Sequence, residues 1–373
     1  MFSQQHANID WAEESARIQA CTAVDVERAL NKRGKRDLQD FRALISPAAM
    51  PYLEAMAQAS YRATRQRFGN AMQLYVPLYV SNACTNVCTY CGFSRDNAIR
   101  RTILSPVEID HEIAVIKGMG FDHVLLVTGE ADQRVGFSYI RDCLQQLRPH
   151  FSNLSIEVQP LTRFEYEGLV DAGLNAVYVY QETYGSDAYA RHHRAGKKQD
   201  LAWRLDCPDR LGEAGVHKVG LGVLIGLEDW RVDSLMCARH LRYLEQRYWR
   251  TRYSVSFPRL RPHAGGLELA SVMNDADLVQ LICAWRLFDE ELELALSTRE
   301  SEFFRDHVCR LGITSMSAAS CTNPGGYSDT VDSLEQFEIS DDRSALDIAA
   351  MLKRQGLEAV WKDWDAAYDV RSA

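Results

Sequence analysis

The chain has 373 residues, 46% hydrophobic and 25% charged, the balance of a folded protein with a large core and not of a disordered or collagen-like one. Its 42 Lys plus Arg against 51 Asp plus Glu leave a net charge of −9 with no block of like charge, which argues against a nucleic-acid backbone or an anionic membrane as partner. No run approaches the roughly 20 apolar residues of a membrane span, and the start, MFSQQHANIDWAEESARIQA, has neither the basic nor the apolar region of a secretion signal, so a cytoplasmic protein is expected.

In chain order, residues 1–71 read as an N-terminal helical extension expected to pack against one end of the main domain. From about Gln73 onward, short apolar runs alternate with longer amphipathic ones. The predicted strands are Gln73–Val80, His123–Thr128, Leu154–Gln159, Ala176–Gln181, Lys218–Gly226, Arg252–Phe257, Leu292–Ser297 and Ile313–Ser317. Between them apolar residues recur three and four apart, as in Val107, Ile109, Ile113 and Ile116, or Leu278, Leu281, Ile282 and Trp285, which is helical spacing. Near-continuous apolar strands suit a parallel sheet buried on both faces, and eight strand–helix alternations predict an α/β chain closed into a TIM-type (β/α)8 barrel over residues 72–320. A doubly wound open sheet is the competing fold. Residues 321–373 form a C-terminal extension: the turn-rich NPGGYSD, a helix near Ala345–Gln355 and the aromatic tail VWKDWDAAY.

Seven of the ten cysteines (Cys21, Cys143, Cys207, Cys237, Cys283, Cys309, Cys321) are scattered singly and read as buried free thiols. Cys84, Cys88 and Cys91 stand apart, as CxxxCxxC directly after the first strand, where barrel loops build active sites. Three thiolates on one short loop can grip three corners of a cubane [4Fe–4S] cluster and leave its fourth iron open to a chelating guest. A structural zinc would need a fourth ligand at short spacing, and the sequence offers none. A disulfide suits neither an odd number of thiols nor a reducing compartment.

The other strand ends carry polar groups as well. Strand two ends in T128-G129-E130, strand three in Gln159-Pro160 and strand four in Q181-E182-T183-Y184, with Arg204 in the helix L201-A-W-R-L205. Gly220, Gly222 and Gly226 alternate along strand five; they either leave a bare face for a flat ring such as adenine or mark close packing. After strand seven, Arg299 is suited to bidentate capture of a carboxylate, or else pairs with Glu300 or Glu302. Tyr79 either points into the barrel or packs in the core, and Ser317 closes strand eight.

CxxxCxxC with an aromatic, Tyr90, before the last cysteine resembles the signature of the radical S-adenosylmethionine (SAM) superfamily. That resemblance implies a [4Fe–4S] cluster on Cys84, Cys88 and Cys91, with SAM chelating the open iron and cleaved by one electron to methionine and a 5′-deoxyadenosyl radical. It implies Tyr90 at the cofactor, Glu130 on its ammonium, Glu182 on its ribose or ammonium and Arg204 on its carboxylate. PLYVSNACTNVCTYCGFS, LLVTGE, VYQETY, ARHH, GKKQD, GLGVLIGLED, RYSVSFPRLRP, LSTRES and NPGGYSD, in that order and spacing, are similar to the aromatic amino-acid lyases, specifically the tyrosine lyases of thiamine biosynthesis. In that family a hydrogen is removed from the substrate's amino nitrogen and the Cα–Cβ bond breaks, so that L-tyrosine yields p-cresol and 2-iminoacetate (dehydroglycine). The resemblance further implies Arg299 on the tyrosine carboxylate, Tyr79 and Ser317 near the amino-acid head, delivery of the product to a thiazole synthase, and a flavodoxin-type or other reductant. Arg259, Arg261 and Glu300 are candidates for the phenol. The neighbouring readings are a tryptophan lyase, a hydrogenase-maturation tyrosine lyase, whose second cluster would need cysteines beyond Cys321, and a zinc-stabilised barrel acting as a binding module.

Overall fold

The structure is a computed structural model and describes residues 1–260, 269–328 and 336–362. Eight strands form one parallel sheet in chain order: β1 (Ala71–Ser81), β2 (His123–Thr128), β3 (Asn153–Glu157), β4 (Ala176–Tyr178), β5 (Lys218–Gly222), β6 (Arg252–Ser256), β7 (Glu293–Leu296) and β8 (Ser315–Ser317). β8 returns to β1 through Gln73↔Ser315, Leu74↔Met316 and Tyr75↔Ser317. That pairing closes the barrel and excludes the open sheet.

The strands were legible because every residue of β2 and of β5 is buried. One face points into the barrel and the other against the helical layer, so no solvated face breaks the apolar run. Capping boxes start the outer helices where the chain leaves a strand: Ser105 with Glu108 before Pro106–Gly118, Thr162 with Glu165 before Arg163–Asp171, and Asn274 with Asp277 before Asp275–Phe288. In the first of these Ile109, Ile113 and Ile116 are buried while Val107 is exposed, so the apolar stripe begins at Ile109, two residues later than predicted.

The N-terminal helices lie on the side of the helical layer and not across one end of the barrel. Phe41, in Leu38–Ile45, packs its ring 4.7 Å from Trp285 and 4.9 Å from Phe288, and Gln280 donates to the carbonyls of Leu44 and Ser46. Phe2 stacks on His240 at 3.9 Å, inside Trp230–Arg247. These apolar faces find partners on the layer that the sequence order does not reveal.

Beyond β8 the chain does two things. The helix Ala345–Arg354 lies where its spacing placed it, and after it a strand not foreseen, β9 (Glu358–Val360), adds to the start of β1. Before that helix, the strap Gln336–Asp341 crosses the barrel mouth, where Gly92 donates to the Gln336 carbonyl at 3.0 Å and Ser340 to the Thr298 carbonyl at 2.9 Å. An ion pair between Arg305 and Asp341, both fully buried, anchors it. Among the described residues no helix is long and apolar enough to cross a membrane. Arg261 and the aromatic tail from Asp363 onward lie outside the described residues.

Candidate active site

The cysteine loop is built by its own backbone and one arginine. Arg101 donates to the carbonyls of Asn82, Phe93, Ser94 and Asn97 at 2.9, 2.8, 2.7 and 3.1 Å, tying both ends of the loop together. Val87–Cys88 pairs antiparallel with His193–Ala195, and the Cys88 N–H donates to Ser94 Oγ at 3.2 Å. Gly129 lets the end of β2 come close, since a Cβ there would run into the Ala83 carbonyl. Cys84, Cys88 and Cys91 consequently line one cavity at the C-terminal end of the barrel, with about 1360 Å³ of free space including its open mouth.

The donor set fits an iron–sulfur cluster with an open corner. Three soft thiol donors face the cavity, and its described lining holds no further cysteine and no histidine. Burial pushes the Cys88 thiol well up and Cys91 up to about 11; a coordinated metal deprotonates such thiols outright. Among the described residues, no three His, Cys, Asp or Glu side chains converge on a single-ion position, as a tetrahedral zinc site would require. Thr128 Oγ1, also on the lining, is buried without a hydrogen-bond partner, an open position for a polar guest.

Next to the thiols, charges are paired in a chain. Asn86 donates to Glu130 at 2.7 Å, Arg204 to the other Glu130 oxygen at 3.1 Å and to the Tyr180 carbonyl at 2.8 Å, and Lys198 to Glu182 at 2.7 Å. Arg204 Nη2 stands 3.9 Å from Glu182. Burial opposes ionisation of both carboxyls, but Arg204 and Lys198 overcome it and hold Glu130 and Glu182 below the usual range. Glu182 sits at φ +69°, a left-handed conformation that costs about 1 kcal/mol or more outside glycine; its carbonyl accepts from Leu224. Tyr90 lines the cavity with its hydroxyl 2.7 Å from His193 Nε2. His193 Nδ1 lies 2.8 Å from the Tyr189 carbonyl and carries the proton, so Nε2 accepts from Tyr90. Burial, with Lys198 and Arg204, pulls His193 down to about 2, which keeps it neutral.

On the opposite wall Arg299 stacks its guanidinium 3.5 Å from the centre of the Phe337 ring and forms no ion pair among the described residues. The alternative of a salt bridge to Glu300 or Glu302 is not what the chain does. Glu300 is instead held by Arg259, which also reaches Asp275 at 2.8 Å. Arg259 and Glu300 occupy each other and neither lines the cavity, so both drop out as phenol contacts. Tyr79 and Ser317 do line it; Tyr79 donates to Gln336 at 2.6 Å and Ser317 Oγ accepts from the Thr298 N–H at 3.1 Å.

Two strand-end readings are corrected. Gly220 and Gly222 offer no bare face to a guest, because the Tyr178 and Tyr180 rings lie where their Cβ atoms would be. Strand three ends at Glu157, not at Gln159, whose amide donates to the Val135 carbonyl at 3.0 Å outside the cavity. Among the cavity residues that the sequence reading missed are Asn86, Glu157, Lys198, Gln336 and Phe337. Glu157 carried a signal, a lone carboxylate inside the apolar run LSIEVQ; the two strap residues carried none.

Residues 78–236 match the Radical SAM superfamily, and residues 256–358 match the Biotin and Thiamin Synthesis associated domain. Over 366 residues the chain is 56% identical to 2-iminoacetate synthase of Escherichia coli K12, covering 98% of this chain and 97% of that one. The corresponding enzyme of Salmonella typhimurium is 54% identical over 367 residues, with the same coverage of each chain. A crystal structure of the [FeFe]-hydrogenase maturase HydG superposes with a TM-score of 0.91 at 28% identity, covering 96% of this chain and 81% of that one. Methylornithine synthase, with a TM-score of 0.71 at 18% identity over 90% of this chain and 97% of that one, shares the fold. The closed barrel, the cysteine loop at its mouth and near end-to-end identity place this chain in the 2-iminoacetate synthase family of radical SAM enzymes, which use a [4Fe–4S] cluster and SAM.

Proposed function

We propose that this chain is a radical SAM carbon–carbon lyase that cleaves the Cα–Cβ bond of L-tyrosine, giving 2-iminoacetate and p-cresol and supplying the thiazole moiety of thiamine. The observation that carries the reading is the meeting, in one barrel-mouth cavity of a chain this similar to the 2-iminoacetate synthases, of three loop thiols and a guanidinium, Arg299, that has no ion pair among the described residues.

Cys84, Cys88 and Cys91 would hold the cluster. When bound, cluster and SAM supply a one-electron cleavage whose adenosyl fragment removes a hydrogen atom. Glu130 and Glu182 present carboxylates to the cofactor's ammonium and ribose, Arg204 its remaining N–H groups to the carboxylate, and Tyr90 its ring alongside. Arg299 receives the tyrosine carboxylate in a two-pronged contact that Lys would not reproduce. Tyr79 and Ser317 border the same head group. Fixing one end of the substrate aims its nitrogen, and such positioning is worth several kcal/mol, on the order of 7 or more in the best cases. The strap over the mouth keeps water from the reactive fragments. The product passes to a thiazole synthase, and a flavodoxin-type protein or other reductant supplies the electron.

Anaerobic incubation of the reconstituted chain with tyrosine, SAM and dithionite tests this. The expected result is p-cresol and 5′-deoxyadenosine in comparable amounts. SAM cleavage that tyrosine does not stimulate, with no p-cresol, would overturn the reading.

A further inference from the structure

Six residues with formal charge line the cavity, and four of them, Glu130, Glu182, Lys198 and Arg204, are engaged with one another. Glu157 and Arg299 are not. Glu157 is the last residue of β3, level in the sheet register with Val127 and, across β2, with Tyr79. Among the described residues its side chain makes no hydrogen bond and no ion pair. The Arg299 guanidinium only stacks on Phe337. Each feels the other's field, yet they do not touch. Both side chains are only partly accessible; a charge in such a place without a partner is poorly compensated, and a guest that supplies both missing partners relieves both at once. An α-amino acid carries that pair of groups on one carbon: a carboxylate for Arg299 and an ammonium for Glu157. A phenol, neutral near pH 7, carries no positive charge to offer Glu157.

Building on the lyase reading, we infer that Glu157 receives the α-ammonium of the tyrosine whose carboxylate rests on Arg299, and takes one proton from it before the nitrogen loses its hydrogen atom. The transfer is R–NH3⁺ plus carboxylate giving R–NH2 plus carboxylic acid, with no change in electron count. It keeps a cationic nitrogen radical from forming inside the barrel. The surroundings suit a base of this kind: burial first, and then the Glu182 charge, lift Glu157 to about 7, against the pull of Arg299, Lys198 and Arg204. The remaining titratable groups that sense it are the Tyr75, Tyr79 and Tyr180 hydroxyls, which burial keeps protonated.

The test is anaerobic calorimetry on cluster-loaded enzyme with SAM, titrating tyrosine and, separately, 3-(4-hydroxyphenyl)propanoate, which lacks only the ammonium. Glu157→Gln is expected to weaken tyrosine about tenfold or more and to leave the propanoate unchanged or tighter. Its residual p-cresol formation is expected to climb with pH, because tyrosine then arrives as the free amine. Unchanged tyrosine affinity, or equal weakening of both ligands as a structural role or a phenol contact would give, overturns the inference. A pH-independent residual rate overturns the proton transfer. If the Gln variant does not fold, Glu157→Asp takes its place and is expected to narrow the preference for tyrosine over the propanoate, an unchanged preference counting against the inference. Wild-type p-cresol formation keeps the two readings apart: with it, a silent Glu157 variant sinks this inference alone; without it, the lyase reading falls first.

Discussion

Two sets of charges in one cavity solve the same electrostatic problem in opposite ways. Glu130, Glu182, Lys198 and Arg204 compensate one another, so that set is electrostatically complete by itself. Glu157, at the end of β3 between the strands that lead to Glu130 and Glu182, and Arg299, after β7, have no ion-pair partner among the described residues. A paired set is already rigid and needs only to exchange partners when its guest arrives. An unpaired set stores selectivity for a guest that carries both signs.

The largest expected effect concerns the cluster on which both sets depend. Cys88→Ala removes one of three thiol ligands, and iron content, SAM cleavage and p-cresol formation should all be lost; retained activity would defeat the cluster assignment. Next comes a contrast in stability of the cluster-free chain. Arg204→Leu removes the guanidinium from Glu130, leaving the carboxylate the Asn86 amide, and should cost about 3–5 kcal/mol in urea unfolding, whereas Arg299→Leu breaks no ion pair among the described residues and should cost far less. Equal losses would erase the distinction between the two sets of charges. In turnover the order reverses: Arg299→Lys should spare the cluster and raise the tyrosine KM by roughly 10–100-fold, since a point charge loses the fork geometry. An unchanged KM takes Arg299 out of the site.

Acid should cost stability through the paired set. Glu130 and Glu182 are depressed in the folded chain, so their contribution to stability is fully present above the unfolded value of about 4.5 and is lost as pH falls through the lower folded values. Urea midpoints measured downward from pH 6 should fall less steeply in Glu130→Gln than in wild type; parallel curves would contradict the pairing. The smallest effect belongs to the strap. Phe337→Leu removes the ring under Arg299, a contact worth about 0.5–2 kcal/mol, and should raise the tyrosine KM by a few-fold up to about thirtyfold. No change would mean that the ring does not orient the guanidinium.

Legibility followed the same physical divide. Parallel strands buried on both faces, such as β2, print as apolar runs and were found with little error. β9 was invisible because three residues, EAV, become a strand only by lying against Ala71–Gln73. The cysteine loop and the acidic strand ends were readable because their chemistry is local in sequence. Phe337 and Gln336 were not, since the strap folds back from beyond the barrel to meet Arg299, Tyr79 and Gly92. Gly220 and Gly222 misled because a missing side chain announces space without saying who fills it; here Tyr178 at the end of β4, Tyr180 just beyond it and the Ser256 carbonyl do.

The account rests on an iron–sulfur cube held by three thiolates with one iron left open, and metal analysis joined to low-temperature electron paramagnetic resonance addresses it most directly. Anaerobically reconstituted protein should hold about four irons and four sulfides per chain. Its reduced signal should shift when SAM is added. Zinc in stoichiometric amount, or a reduced signal indifferent to SAM, would contradict it.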